Sequence, residues 1–219
     1  MSTATPGLEA ILRPRSIVVV GASRDAETPS GRLFRNLAAS FAGPVHPVNP
    51  HVRELESIRA YPSIREVPGP VDLAFIAVPS PQVAAVVREC LDHGVRGLVL
   101  ITAGFTEVGG DGPARQAEVR ELVQARGVRA VGPNCLGVLN TDPAVRLNGT
   151  FSGFPFLPGN IGVVSQSGAL SFVVPELLRA GQVGLSTMIS LGNKADVTEN
   201  DAIACWRDDA RTSVGVLYL

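Results

Sequence analysis

Cysteine is scarce in this 219-residue sequence: Cys90, Cys135 and Cys205 stand far apart, with no CxxC pair. That argues against a disulfide framework and a cysteine zinc site, and it predicts a reducing compartment, the cytoplasm. Histidine is equally sparse. His46, His51 and His93 have no metal-ligand spacing and read as surface or loop residues. No charge of one sign dominates, since the net charge is −1. A nucleic-acid partner or an anionic membrane surface is therefore not expected. No apolar run approaches the ~20 residues of a membrane span. The opening MSTATPGLEAILRPRS lacks the basic start, apolar centre and cleavage site of a signal peptide. Lysine is almost absent: Lys194 stands alone against eighteen arginines, a bias that reflects genome base composition more than chemistry.

What is present is a soluble globular composition, 45% hydrophobic and 18% charged. Short apolar runs alternate with helical patterns, the signature of βαβ units around a parallel sheet. Strands are predicted at 16–20, 45–48, 72–78, 97–101 and 128–131, with helices at 33–42, 81–93 and 113–126. Ser80 is the expected N-cap of the second helix, with Pro81 at its first position and Gly94 just past its end. Residues 1–135 thus form one doubly wound α/β domain. Residues 136–158 are rich in Pro, Gly and Asn and read as a linker. Residues 159–219 resume the alternation, with strands at 160–164, 185–190 and 213–219 and helices at 169–180 and 199–208. Three parallel strands make a poor sheet, so the chain is expected to be an N-terminal fragment.

The first strand ends on Gly21, and a small polar loop with Ser23, Ser30 and Gly31 leads into a helix. Strand, glycine loop and helix N-terminus form an anion cradle of free N–H groups; the other reading is an ordinary tight turn. The loop is not G-x-G-x-x-G, and the second strand ends on Asn49 and His51 where a ribose-binding acid would stand. Both facts weigh against a nicotinamide oxidoreductase. The remaining strand tips carry Pro79-Ser80, Thr102-Ala103-Gly104 and Asn134-Cys135, small groups suited to a backbone-lined crevice. A second turn of this kind, Ser165-Gln166-Ser167-Gly168, precedes the helix at 169–180. It is either an anion site or simple N-capping by Ser167. Cys135 reads as a small buried apolar residue, and Trp206 as core. Asn193, Lys194 and Asp196 belong either to a solvated loop or to a site between the units.

GASRDAETPSGR at 21–32, HPVNP at 46–50, AYPSI at 60–64, VDLAFIAVPS at 71–80, LVLITAGFTE at 98–107, GPNCLGVLNT at 132–141 and GVVSQSGAL at 162–170 together resemble the NDP-forming acyl-CoA synthetases, which are similar to the α subunit of succinyl-CoA synthetase. The resemblance implies a Rossmann-like domain binding coenzyme A, then an incomplete flavodoxin-like ligase domain. It implies a ligase joining a small carboxylic acid to coenzyme A, with ATP and Mg²⁺ handled by a separate ATP-grasp domain or subunit, in an oligomeric full-length protein. Carried over, Gly21, Ser23, Ser30, Gly31 and Arg32 would face the coenzyme A phosphates, with Asn49 and His51 beside them. Val78, Pro79, Ser80, Thr102, Ala103 and Gly104 would line the adenosine and pantetheine path. Asn134 and Cys135 would lie near the thiol. Ser165, Gln166, Ser167 and Gly168, supported by Asn193, would receive a phosphohistidine. Two departures stand out. His51 replaces a frequent lysine, and no histidine follows His93, so the phosphorylated histidine and its acidic partner would lie beyond Leu219. The alternative is a ligand-sensing regulatory module of the kind fused to protein acetyltransferases.

Overall fold

The computed structural model describes residues 7–219 apart from Phe154 and Ala169. After a short helix α1 (Glu9–Leu12), strand β1 (Ile17–Val20) leads to α2 (Pro29–Ser40) and β2 (Val45–Val48). A two-residue ladder follows, β3 (Glu54–Leu55) with β4 (Ile58–Arg59). Then come β5 (Leu73–Ile76), α3 (Ser80–Asp92), β6 (Gly97–Leu100), α4 (Gly112–Ala125) and β7 (Arg129–Val131). The first sheet is wholly parallel, in the order β2-β1-β5-β6-β7. Its strands are apolar on both faces because both faces are covered. Ile17, Val19, Leu73, Phe75 and Val99 face α1 and α2. Val18, Val20, Ala74, Ile76, Leu98 and Leu100 face α3 and α4. The order in which strands are added reverses between β1 and β5, the switch point where doubly wound folds hold ligands.

Two elements differ from the sequence expectation. Helix α2 begins at Pro29, four residues before the apolar period at Leu33. Thr28 caps it by accepting the Gly31 N–H at 3.1 Å, and Pro29 takes a first-turn position. Ser30 and Gly31 are therefore helical. Helix α3 starts at Ser80 with Pro79 as N-cap, so Ser80 does not cap it. Gly94 follows the end of α3 with φ +89°, as expected of a residue there.

Residues 136–158 are not an unstructured linker. They hold β8 (Gly137–Asn140) and β9 (Leu147–Thr150), an antiparallel pair. Then come β10 (Pro158–Ser165), α5 (Leu170–Ala180), β11 (Leu185–Ser190), α6 (Glu199–Arg207) and β12 (Val214–Tyr218). The second sheet is mixed, β12-β10-β11-β8-β9, so five strands replace the three expected. The hairpin escapes a sequence reading because its strands are short and carry Gly137 and Gly149. Gly149 leaves room for the Phe75 ring, since a Cβ there would strike it. Val138, Leu147, Val164, Ile189 and Trp206 join the same buried cluster as Phe34 and Phe75, so the two sheets share one core. Trp206 is core as expected. Its indole N–H donates to Thr187 Oγ1 at 2.8 Å, and its ring lies over Gly162.

Candidate functional site

The strand tips beyond β1, β5, β6 and β7 surround a cavity of about 480 Å³. At one end stand Pro29 and Ser30, in the first turn of α2. Pro29 has no N–H, the Gly31 N–H is taken by Thr28 Oγ1 and the Arg32 N–H by the Thr28 carbonyl, so of this turn it is the Ser30 N–H and hydroxyl that stand at the positive end of the helix dipole. Ala77, Val78, Pro79, Ile101, Thr102 and Ala103 form the wall. Asn134, Cys135 and Leu136 stand at the β7 end, Phe151 lies beside α2, where Asn36 Nδ2 donates to the carbonyls of Thr150 and Ser152, and Gly168 from the second unit completes the lining. Of the second unit's turn, Gly168 lines this cavity; Ser165, Gln166 and Ser167 do not.

Gly21, Ser23, Gly31, Arg32, Asn49, His51, Ser80 and Gly104 do not line this cavity, and Thr102 and Cys135, which do, are held by contacts of their own. Gly21 has φ +88°, and a Cβ there would lie 2.6 Å from the Ala77 carbonyl oxygen, so the β1 and β5 loops cross in contact. Its N–H donates to the Val48 carbonyl. Ser23 Oγ accepts the Asp25 N–H. Gly31 is buried against the Asp25 carbonyl, and its N–H serves Thr28. Arg32 is tied to Glu27 at 2.6 Å and to the Ala26 carbonyl. Asn49 donates Nδ2 to the Ala22 carbonyl at 2.8 Å and accepts the His51 N–H, leaving the His51 side chain exposed. Thr102 Oγ1 donates to the Val78 carbonyl at 2.7 Å, and the Thr102 carbonyl accepts the Asn134 N–H. Ser80 Oγ packs on Gly104, where a Cβ would lie 2.6 Å away. The Cys135 thiol donates to the Leu100 carbonyl, and burial pushes its pKa up to about 12, against a reactive thiolate.

In the second unit, Ser165 Oγ donates to the Ser167 carbonyl at 3.1 Å and accepts the Ser167 N–H at 3.2 Å. Ser165 is buried within the turn, while the Gln166 side chain is exposed. Ala169, expected to open the helix, lies outside the described residues. The segment after β11 runs along the free edge of β7: the N–H groups of Asn193, Ala195 and Val197 donate to the carbonyls of Pro133, Gly132 and Ala130. Asp196 accepts from Arg129 at 2.9 Å and from the Ala130 N–H. Asn193 and Asp196 therefore lie in the seam between the units, while Lys194 pairs with Glu199 of its own unit at 3.4 Å.

Glu107 has a place here that its sequence context did not signal. It lies three residues past Gly104, and one of its partners, Asn193, comes from a segment 86 residues away. Its carboxylate accepts the N–H of Gly104 at 2.5 Å, the N–H of Phe105 at 3.2 Å and Asn193 Nδ2 at 2.5 Å. Burial opposes its charge, but these donors prevail and hold the carboxyl below its ordinary range. Asn193 Oδ1 in turn accepts Asn134 Nδ2 at 3.3 Å. Among the described residues, no group of His, Cys, Asp or Glu is arranged to hold a metal, and no helix is long and apolar enough to cross a membrane.

Residues 15–141 match the family described as CoA binding domain, and residues 158–219 match the succinyl-CoA ligase like flavodoxin domain. The α subunit of an ADP-forming acetate–CoA ligase II from Pyrococcus furiosus is 38% identical over 97% of this chain and 46% of its own length. An ADP-forming acetate–CoA ligase I from Archaeoglobus fulgidus is 39% identical over 97% of this chain and 30% of its own. The apo structure of a dinucleotide-forming acetyl-coenzyme A synthetase 1 from Ca. Korarchaeum cryptofilum superposes with a TM-score of 0.92 at 39% identity, over 97% of this chain and 46% of that one. The chain spans less than half the length of these relatives. With its parallel sheet, switch-point cavity and following mixed sheet, the chain belongs to the CoA-binding domain family, joined to a succinyl-CoA-ligase-like flavodoxin segment.

Proposed function

We propose that the chain is the coenzyme-A-binding part of an acid–CoA ligase, which converts a carboxylate, coenzyme A and ATP to acyl-CoA, ADP and phosphate through a phosphohistidine and an acyl phosphate. The observation that carries this reading is the cavity running from the α2 N-terminus to Asn134, Cys135 and Gly168. The Ser30 hydroxyl and N–H, at the N-terminus of α2, would face the phosphates. Val78, Pro79, Thr102 and Ala103 would flank the adenosine and pantetheine. Asn134 and Cys135 would meet the thiol end. Arg32 would have to leave Glu27 to reach a phosphate. Both side chains are exposed, and such pairs are worth about 0–1 kcal/mol, so a phosphate can compete. Ser165 to Gly168 would present a helix N-terminus to the phosphorylated histidine.

ATP and Mg²⁺ would enter through an ATP-grasp domain or subunit. That partner, a small carboxylic acid and an oligomeric assembly complete the proposal. The cytoplasm fits three free cysteines. Titration calorimetry with coenzyme A, NAD and ATP tests the reading: coenzyme A should bind most tightly, and tighter binding of NAD would overturn it.

A further inference from the structure

Glu107 lies outside the cavity, yet it is the junction of two loops that reach it. Its carboxylate holds the Gly104 and Phe105 N–H groups and Asn193 Nδ2 at once. Arg115 grips the same peptide from the other side, donating to the Gly104 carbonyl at 3.2 Å. Gln116 Oε1 accepts from Thr106 Oγ1 at 2.9 Å and from Asn193 Nδ2 at 3.1 Å. Asn193 then meets Asn134 at the β7 end of the cavity. The first-unit loop after β6 is thereby fastened to the second-unit seam through the Glu107 carboxylate, beside Gln116, whose Nε2 also donates to the Asn193 carbonyl at 3.5 Å.

Resting on the coenzyme A reading, we propose that Glu107 is a positioning residue: acting through Asn193, it fixes Asn134 at the thiol end of the coenzyme A site. Three features carry this. A carboxylate only accepts hydrogen bonds, so it can gather backbone and amide donors that would otherwise turn to water. Asn193 sits in a segment paired along β7, so its backbone is fixed and its side chain is the part left to orient. Asn134 has φ +57°, and its N–H is held by Thr102, so its amide too is aimed by what it touches. The phosphate end, at Ser30, shares none of these contacts. Loss of Glu107 should therefore weaken recognition of the pantetheine arm and spare the nucleotide end.

The test is titration calorimetry of the chain and its Glu107→Ala variant with two ligands, coenzyme A and adenosine 3′,5′-bisphosphate, which lacks the pantetheine arm. Coenzyme A should bind about fivefold more weakly to the variant, the size expected when charge-assisted hydrogen bonds at an exposed site are lost. The bisphosphate affinity should stay within about twofold. Asn193→Ala should reproduce the loss, and the double variant should add little to it. Glu107→Gln keeps the loop packed and should fall between the chain and Glu107→Ala. Equal weakening for both ligands would mean a general loosening of the loop and would overturn the proposal, as would unchanged coenzyme A affinity or additive single losses. If the unaltered chain binds the bisphosphate but gains nothing from the pantetheine arm, the positioning role falls while nucleotide binding stands. If it binds neither ligand, the coenzyme A reading fails and takes the proposal with it.

Discussion

Single residues show how the loop is built from its own contacts before any ligand arrives. Gly31 is such a residue: a side chain there would enter the Asp25 carbonyl, and its N–H is committed to Thr28. Gly31→Val should destabilise the chain by about 2 kcal/mol, roughly 4–8 °C at this size, and weaken coenzyme A about tenfold or more by displacing the loop. Thermal unfolding and calorimetry check both effects; unchanged affinity in a natively folded variant would reduce Gly31 to a turn residue. Arg129 has its guanidinium between Asp196 and Asp201, each at 2.9 Å, with little of any of the three side chains exposed. Burial works against the Asp201 charge, but the Thr198 N–H and Arg129 outweigh it and hold its carboxyl below the ordinary 3.8. A depressed carboxyl adds stability that is full above its unfolded value and fades as pH falls through the folded one. Arg129→Met strands two carboxylates and should cost about 3–5 kcal/mol at neutral pH. The gap from the unaltered chain should narrow as pH falls below 3.8, where protonation of Asp201 relieves its stranded charge. Urea unfolding above and below that pH decides; a constant gap would assign the loss to packing.

At the scale of elements, the site is a set of strand ends closed by two helix beginnings. The α2 apolar face, Leu33, Phe34 and Leu37, is fully buried; at about 1.5–3 kcal/mol per side chain this fixes where its N-terminus points. The turn between β10 and α5 faces it across the cavity through Gly168. A Cβ at Gly168 meets nothing within 4 Å, and its φ is not left-handed, so a larger residue there fits the fold. Gly168→Val should leave the unfolding midpoint within about 2 °C while weakening coenzyme A several-fold, because the added methyl groups enter the ligand's space. A variant that loses stability instead would show that the turn packs more tightly than its surroundings indicate.

Over the whole molecule, the two sheets act as one body. A shared core runs from Phe75 through Gly149 and Leu147 to Ile189 and Trp206. The segment from Asn193 to Val197 covers the β7 edge, which would otherwise offer unpaired backbone groups. The first unit's cavity thus borders the second unit, through Gly168 and through Asn134, which meets Asn193. Chemistry is a different matter. No histidine follows His93 in the sequence, and the relatives are more than twice as long. Incubation of the purified chain with ATP, Mg²⁺, coenzyme A and a panel of acids should yield no thioester by chromatography. Turnover would mean that the phosphoryl carrier lies within these residues.

Much of this could be read before any coordinates. The alternation of Ile17–Val20, Leu73–Ile76 and Gly97–Leu100 with helical patterns specifies a parallel sheet, because buried central strands demand apolar residues on both faces. Small residues at the strand tips mark the crevice, and the missing acid at Asn49 disfavours a nicotinamide cofactor. Other features depend on contacts distant in sequence and leave no local trace. The β8–β9 hairpin is specified by its pairing with β11 and by the Phe75 ring against Gly149, not by strand propensity. Ser30 and Gly31 became helical because Thr28 supplied a cap ahead of the apolar period. Glu107 and Asn193, 86 positions apart, meet only when the second unit's segment pairs along β7. Periodicity reports which face of an element is buried; it carries no information about which distant partner buries it, and that partner is what completed the site.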